Sequence, residues 1–224
     1  MCGRFFLARR ALEIAQALGL ALSPRAGAWR PRYNIAPTQD VLTVVAGAEG
    51  AVIDTRRWGL IPNWAKDPTI GNRMINARLE TVASKPAYAR PFRSARCVVL
   101  ADGFYEWRRD GTRKTPYLIR PPSPDEILGF AGLWARWKPE KGDEILSCTI
   151  ITRPAAGAAA KVHDRMPAIL PRESWPDWLG ADPSDPKALM KALDGAPAPK
   201  LETVAITTAV NNPRNDAPEI LKPA

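Results

Sequence analysis

The sequence predicts an α+β fold: one β-rich domain over residues 1–224, with a curved antiparallel sheet or barrel-like core and peripheral helices. Three observations lead there. Short apolar stretches rich in Val, Ile, Tyr and Trp recur along the chain, separated by turn residues. Pro accounts for 23 of the 224 residues, about twice its usual share, and breaks long helices. Hydrophobic residues make up 46% and charged residues 25%, an ordinary globular balance in a chain long enough to bury a core.

Taken in order, residues 8–18 (ARRALEIAQAL) read as an amphipathic helix with Leu12, Ala15 and Leu18 on one face and Gly19 as its stop. The Pro- and Arg-rich stretch 23–37 reads as irregular. VLTVV (41–45) and AVIDTRRW (51–58) flank GAEG and form a hairpin. Residues 59–95 are loop-rich, with a short helix around 78–84. CVVLAD (97–102), FYEWRR (104–109) and TPYLIR (115–120) follow as strands, the last two joined by a turn at RDGT. Two more strands occupy 127–137 and 144–152. A small-residue helix is expected over 155–161, a short strand over 166–170 and short helices over 172–179 and 185–194. LETVAIT (201–207) is the final strand before a polar tail.

No stretch of 18 apolar residues occurs, so no transmembrane helix is expected, and the start MCGRFFLARR lacks the apolar run of a secretory signal. Three Cys with no C-x-x-C pair argue against a disulfide scaffold or a Cys-rich zinc site and suit the cytoplasm. Lys and Arg number 32 against 23 Asp and Glu, a net charge of +9. The excess is uneven: residues 1–120 carry 20 basic and 9 acidic side chains, whereas residues 121–224 carry 12 and 14. Arg supplies 22 of the 32 cations and is the better fork for phosphate. The basic first half points to a polyanion partner, most simply nucleic acid, or to a solvated basic surface.

Cys2 is the first candidate for chemistry. Initiator Met is commonly removed before a small residue, which would leave a terminal Cys with an amine and a thiol. Such a residue offers two nucleophiles to one electrophile. With an aldehyde, the amine forms a Schiff base and the thiol closes a five-membered thiazolidine. With an ester or amide, the thiol attacks and the amine serves as base. The alternative is an incidental Cys at a frayed terminus. Cys97 and Cys148 lie in apolar strand stretches and read as inert core residues.

On the strand ADGFYEWRR, Phe104, Glu106 and Arg108 share one face, and Tyr105 and Trp107 the other. Glu106 is either in a partly dry pocket that raises its pKa for proton transfer, or at the surface beside Arg108 or Arg109. His163 is the sole His of the chain, so no multi-His metal site is expected; it is an acid/base candidate or a structural residue. Asn34 and Asn76 lie in apolar stretches and either orient a reacting group or cap a turn. Trp64 follows Pro-Asn on a loop among Arg residues, as a base-stacking platform or a core anchor.

Together these motifs carry a resemblance. MCGRF (1–5), RYNIAPTQ (32–39), WGLIPNWA (58–65), INARLET (75–81), ADGFYEW (101–107), TIIT (149–152), HDRMP (163–167) and VNNPRND (210–216) occur in this order. The chain thereby resembles the SRAP family, the SOS-response-associated peptidase or abasic-site processing proteins, over essentially its whole length.

The resemblance implies an SRAP fold and a protein of the DNA damage response that crosslinks to abasic sites in single-stranded DNA. It implies Cys2 as nucleophile, Asn76 as the residue orienting its amine, and Glu106 and His163 as proton-transfer groups. It implies Arg4, Arg78 and Arg165 as phosphate contacts, Thr152 as lining the site, and Pro37 and Trp64 as wedging or stacking residues. Where some members have two adjacent Trp, this chain has Asn63-Trp64-Ala65, a smaller platform. No cofactor, metal or membrane partner is expected, and the implied protein is a cytoplasmic monomer that joins the nucleoid during DNA damage. Three other readings compete. A cysteine peptidase would use the same Cys2, Glu106 and His163, although only Met1 precedes the Cys. An N-terminal-nucleophile amidotransferase would carry Asn-Gly and Arg-Gly motifs, which are absent. A non-catalytic DNA-binding module would not need Cys2.

Overall fold

The computed structural model describes residues 2–180, 185, 189–191, 193 and 199–224. Its strands are β1 (Phe5–Leu7), β2 (Ala21–Leu22), β3 (Arg32–Ile35), β4 (Asp40–Gly47), β5 (Gly50–Trp58), β6 (Asn76–Arg78) and β7 (Arg96–Ala101). They continue as β8 (Gly103–Asp110), β9 (Arg113–Arg120), β10 (Leu128–Trp137), β11 (Ile145–Pro154), β12 (Arg165–Pro167), β13 (Ile169–Leu170) and β14 (Glu202–Ala205). The helices are α1 (Ala11–Leu18), α2 (Pro86–Ser94) and α3 (Trp175–Gly180).

The strands form two sheets. The smaller has the order β14-β9-β8-β1-β3. The larger runs β12-β11-β10-β7-β4-β5-β2, with β6 on β11 and β13 on β10. A parallel pairing of Arg57 and Trp58 with Ser147 and Cys148 joins β5 back to β11 and closes the larger sheet into a ring. That closure spans two residue pairs, so the ring is not a barrel, one of the two forms the sequence allowed. Gly59 turns the chain off the ring at φ 128°, where its backbone packs against Gly71; a Cβ here would lie 2.6 Å from the Gly71 carbonyl oxygen. The vacated edge of β11 is taken by β6, which carries Asn76 opposite Ile150.

Aromatic packing ties the sheets together. Phe5 on β1 meets Trp58 at 5.1 Å between ring centroids, and Phe104 on β8 meets Phe130 at 5.9 Å, both edge to face. Phe6 and Tyr105 point the other way, into a second small core with Leu118, Ile206 and Val210. Period-two alternation on β1 and β8 therefore sends one residue of each pair to the main core and the next to the C-terminal segment.

Several expectations shift. The first helix begins at Ala11, because Glu13 accepts from the Arg10 backbone N–H at 3.0 Å. Its buried face is Ala11, Ile14 and Ala15, while Leu12 is exposed. Residues 32–35, read as irregular, form β3. The helix expected around 78–84 is a single 3-10 turn at Leu79–Thr81, and the true helix is α2 beyond it. Pro86 occupies the first turn of α2, where a missing N–H does no harm, and Pro91 lies inside it. The helix at 155–161 reduces to a 3-10 turn at Ala159–Lys161, and 166–170 divides into β12 and β13. The helix expected over 185–194 falls largely outside the described residues.

Asn34, buried at the end of β3, holds the C-terminal segment. Its amide nitrogen lies within hydrogen-bond distance of the carbonyls of Val210, Asn212 and Asn215, at 3.2, 3.1 and 2.8 Å. Asp216 accepts from the backbone N–H groups of Tyr33 and Asn34 and pairs with Arg32. Of the two expectations for Asn34, orienting a reacting group or capping a turn, these bonds match neither: they make it an anchor for the C-terminal segment.

Candidate functional site

The register of β1 and β8 builds the site. Phe5 lies opposite Phe104, and the Tyr105 backbone N–H donates to the Arg4 carbonyl at 2.9 Å. Continued by one pair, that register sets Glu106 across from Gly3, beside Cys2. From the larger sheet, Asn76 on β6 donates its side-chain N–H to the Cys2 carbonyl at 2.7 Å. The other amide atom of Asn76, Oδ1, is buried with no hydrogen-bond partner among the described residues. Tyr88 on α2 fixes this strand by donating its hydroxyl to the Asn76 backbone carbonyl at 3.2 Å.

Glu106 is 3% exposed. Burial raises its pKa above the ordinary carboxylate value, and nearby His163 pulls the other way. His163 Nε2 lies 3.9 Å from Glu106 Oε2. Its Nδ1 accepts from the Arg165 backbone N–H at 3.0 Å and lies 2.7 Å from Asp164 Oδ1. The Cys2 thiol is fully buried, and burial, reinforced by Glu106, pushes its pKa well above that of a free thiol. Sγ makes a weak hydrogen bond to the Arg4 carbonyl at 3.9 Å.

A cavity of about 490 Å³ opens on this cluster, lined by Glu106, Trp107, Arg109, Lys114, His163 and Asn211. Cys2 does not line it. A second cavity, of about 410 Å³, lies between α2 and β10 against Trp64, Arg90, Pro91, Trp134 and Arg136, and contains none of the reactive groups. We centre the site on the first, because acid/base chemistry requires its titratable pair.

The structure thus brings Cys2, Asn76, Glu106 and His163 to one place. The other candidates divide. Arg78 is exposed at the end of β6, level with Thr152 on β11. Thr152 is buried, with its hydroxyl directed to the Ala77 carbonyl at 3.4 Å. Arg165 is engaged by Glu80 on both terminal nitrogens and reaches the Thr152 carbonyl. Arg4 donates to the Asn34 side chain at 2.7 Å and to the Val210 carbonyl at 2.9 Å. Pro37 is half-buried in the turn before β4, next to Thr38, whose φ of 73° is strained for a β-branched residue. Trp64 is 58% exposed on its loop and is no core anchor.

Sequence reasoning missed Tyr88, Glu80 and Lys114, and placed Arg109 only as a surface partner of Glu106. Arg109 carried a further signal, since it shares a strand face with Trp107 at the period-two spacing already used for Glu106. Among the described residues, no group of three His, Cys, Asp or Glu side chains could hold a metal ion, and no helix is long and apolar enough to cross a membrane.

Comparison with known proteins agrees with the motif order. The chain matches the family description "SOS response associated peptidase (SRAP)" over residues 1–213. It is 39% identical over 223 residues to the abasic site processing protein YoqW of Bacillus subtilis, covering 99% of both chains. It is 35% identical over 263 residues to the abasic site processing protein HMCES of Gallus gallus, covering 100% of this chain and 78% of that one. A crystal structure of a protein from Bacteroides thetaiotaomicron superimposes with a TM-score of 0.84 over the whole of both chains, at 26% identity. On the fold, the motif order and these matches, the chain belongs to the SOS response associated peptidase (SRAP) family.

Proposed function

We propose that this protein processes abasic sites in single-stranded DNA by a covalent crosslink from Cys2, exposed as the N-terminal residue by removal of Met1. The observation that carries the reading is the convergence of Cys2 and Asn76 with Glu106 and His163, the last two lining a cavity rimmed by cations. The ring-opened sugar of an abasic site presents an aldehyde. The Cys2 amine attacks it, an imine forms and water leaves. The thiol then adds to the imine carbon, its proton passes to nitrogen, and the thiazolidine closes. Metal plays no part in these steps.

The residues have distinct tasks. Asn76 Oδ1 accepts from the liberated amine and aims its lone pair. Glu106 moves protons between amine, sugar oxygen and thiol, a task suited to its raised pKa. His163 opens the sugar ring and assists reversal. Arg78 contacts phosphate from its exposed position, with Arg4 and Arg165 nearby and Pro37 wedging at the strand; Thr152, buried and outside the cavity lining, supports Arg165 through its carbonyl and does not line the pocket. An abasic nucleotide has no base to unstack, so entry into the pocket meets little opposition. The buried, strongly protonated thiol favours this order, amine first and thiol second, over a thiolate peptidase.

Intact mass of the purified protein, before and after incubation with abasic single-stranded DNA, tests the reading. Loss of Met1 and a gain equal to the oligonucleotide less one water are expected. Unmodified protein after incubation would refute it. Trp64→Ala is expected to weaken noncovalent binding of single-stranded DNA by about 1–3 kcal/mol, the value of one base–aromatic stack, with little change in Tm. Equilibrium titration followed by fluorescence anisotropy checks this.

A further inference from the structure

The β8–β9 hairpin holds an arrangement that folding alone disfavours. Arg109 and Lys114 are directly opposite each other in the antiparallel register, and both are exposed. Like charges in that position destabilise a sheet. The neighbouring acid does not relieve them: Asp110 pairs with Arg108, at 3.1 Å, and stands opposite Arg113. Neither Arg109 nor Lys114 has a carboxylate partner within ion-pair distance among the described residues. Both line the cavity that opens on Glu106 and His163. Trp107, half-buried on the face it shares with Arg109, is held at the same mouth by donating its indole N–H to Asn211 at 2.7 Å.

We infer that Arg109 and Lys114 form an anion subsite for a backbone phosphate of the DNA strand flanking the abasic sugar. The inference rests on the function proposed above and adds to it a phosphate site on the β8–β9 hairpin. The repulsion between the two cations is relieved when a phosphodiester lies between them. The subsite then sets the strand's position relative to Glu106, so that the sugar and not a neighbouring nucleotide enters the pocket.

The test uses Lys114→Glu and Arg109→Ala in the full chain, with intact single-stranded DNA for binding and abasic DNA for crosslinking. For single strands, each phosphate contact contributes about 0.7 to the slope of log affinity against log salt. Each variant is expected to lose about that much slope, so its affinity falls about 2.5-fold less than wild type between 50 and 200 mM salt. Lys114→Glu replaces the like-charge pair with an opposite-charge pair, so its Tm should rise while its DNA affinity at low salt falls. Lys141→Glu carries the same charge change in the turn at the far end of β11 from Thr152 and should leave the slope unchanged.

A wild-type slope in either variant overturns the inference, as does weakened binding of Lys114→Glu accompanied by a lower Tm. Wild-type protein that crosslinks abasic DNA, with variants of unchanged slope, refutes this subsite and leaves the proposed function standing. Wild-type protein that never crosslinks refutes the function, and the slopes on intact DNA then decide phosphate binding by the hairpin alone.

Discussion

Replacing Cys2 by Ser is expected to abolish the heat-stable adduct with abasic DNA while leaving an imine that borohydride traps. The amine survives the substitution and still condenses with the aldehyde. Ring closure fails, because a hydroxyl is a far poorer nucleophile than sulfur near neutral pH. Wild type is expected to need no reductant, since in the proposed mechanism its thiol closes the ring. The side chain is fully buried and close in size to Ser, so the fold should tolerate the change. An open imine also permits β-elimination, so the Ser variant is expected to nick the strand, and wild type to protect it. Adding a residue ahead of Cys2 blocks the amine and keeps the thiol; both products should vanish. Denaturing gel electrophoresis, with and without borohydride, separates these outcomes. A wild-type-like adduct from the amine-blocked protein would refute the thiazolidine mechanism.

What could be read from the sequence follows the range of the interactions. The strands at 97–102, 104–109, 115–120 and 127–137 are visible because they are long, apolar and bounded by turns, and each lies within two residues of β7 to β10. β1 and β6 are three residues each and owe their strand character to partners far along the chain, at β8 and β11. α2 was hidden by Pro86 and Pro91, residues that ordinarily mark breaks. In the site, Cys2, Glu106 and His163 stand out by chemical type, whereas the partners of the arginines do not. Nothing local says that Glu80 engages Arg165, or that Asn34 and Val210 engage Arg4. These pairings join residues 30 to 206 positions apart and exist only once the sheets are assembled.

Glu106→Gln is expected to slow crosslinking by about 10²–10⁴-fold, the usual value of a general acid/base group, without loss of stability. Both expectations come from one property. The folded protein raises the Glu106 pKa, chiefly by burial, above the value in the unfolded chain. Folding therefore favours the protonated carboxyl. The associated stability is complete below the ordinary carboxylate range and is lost as pH rises through the raised folded pKa. Above that raised pKa the ionised carboxylate is a cost that Gln, neutral and nearly isosteric, does not carry. The Gln variant should accordingly match or exceed the wild-type Tm at pH 7–8, and the difference should shrink in acid, where wild-type Glu106 is itself protonated. The rate should show the opposite dependence. Wild-type crosslinking rises with pH through the raised Glu106 pKa, as the base form accumulates, and the Gln variant lacks that limb. Thermal melts and single-turnover crosslinking, run over the same pH series, read both quantities. A Gln variant that melts well below wild type at neutral pH would make Glu106 a structural carboxylate. One that keeps the wild-type rate and acid limb would place the proton transfer elsewhere, with His163 as the other acid/base candidate lining the cavity.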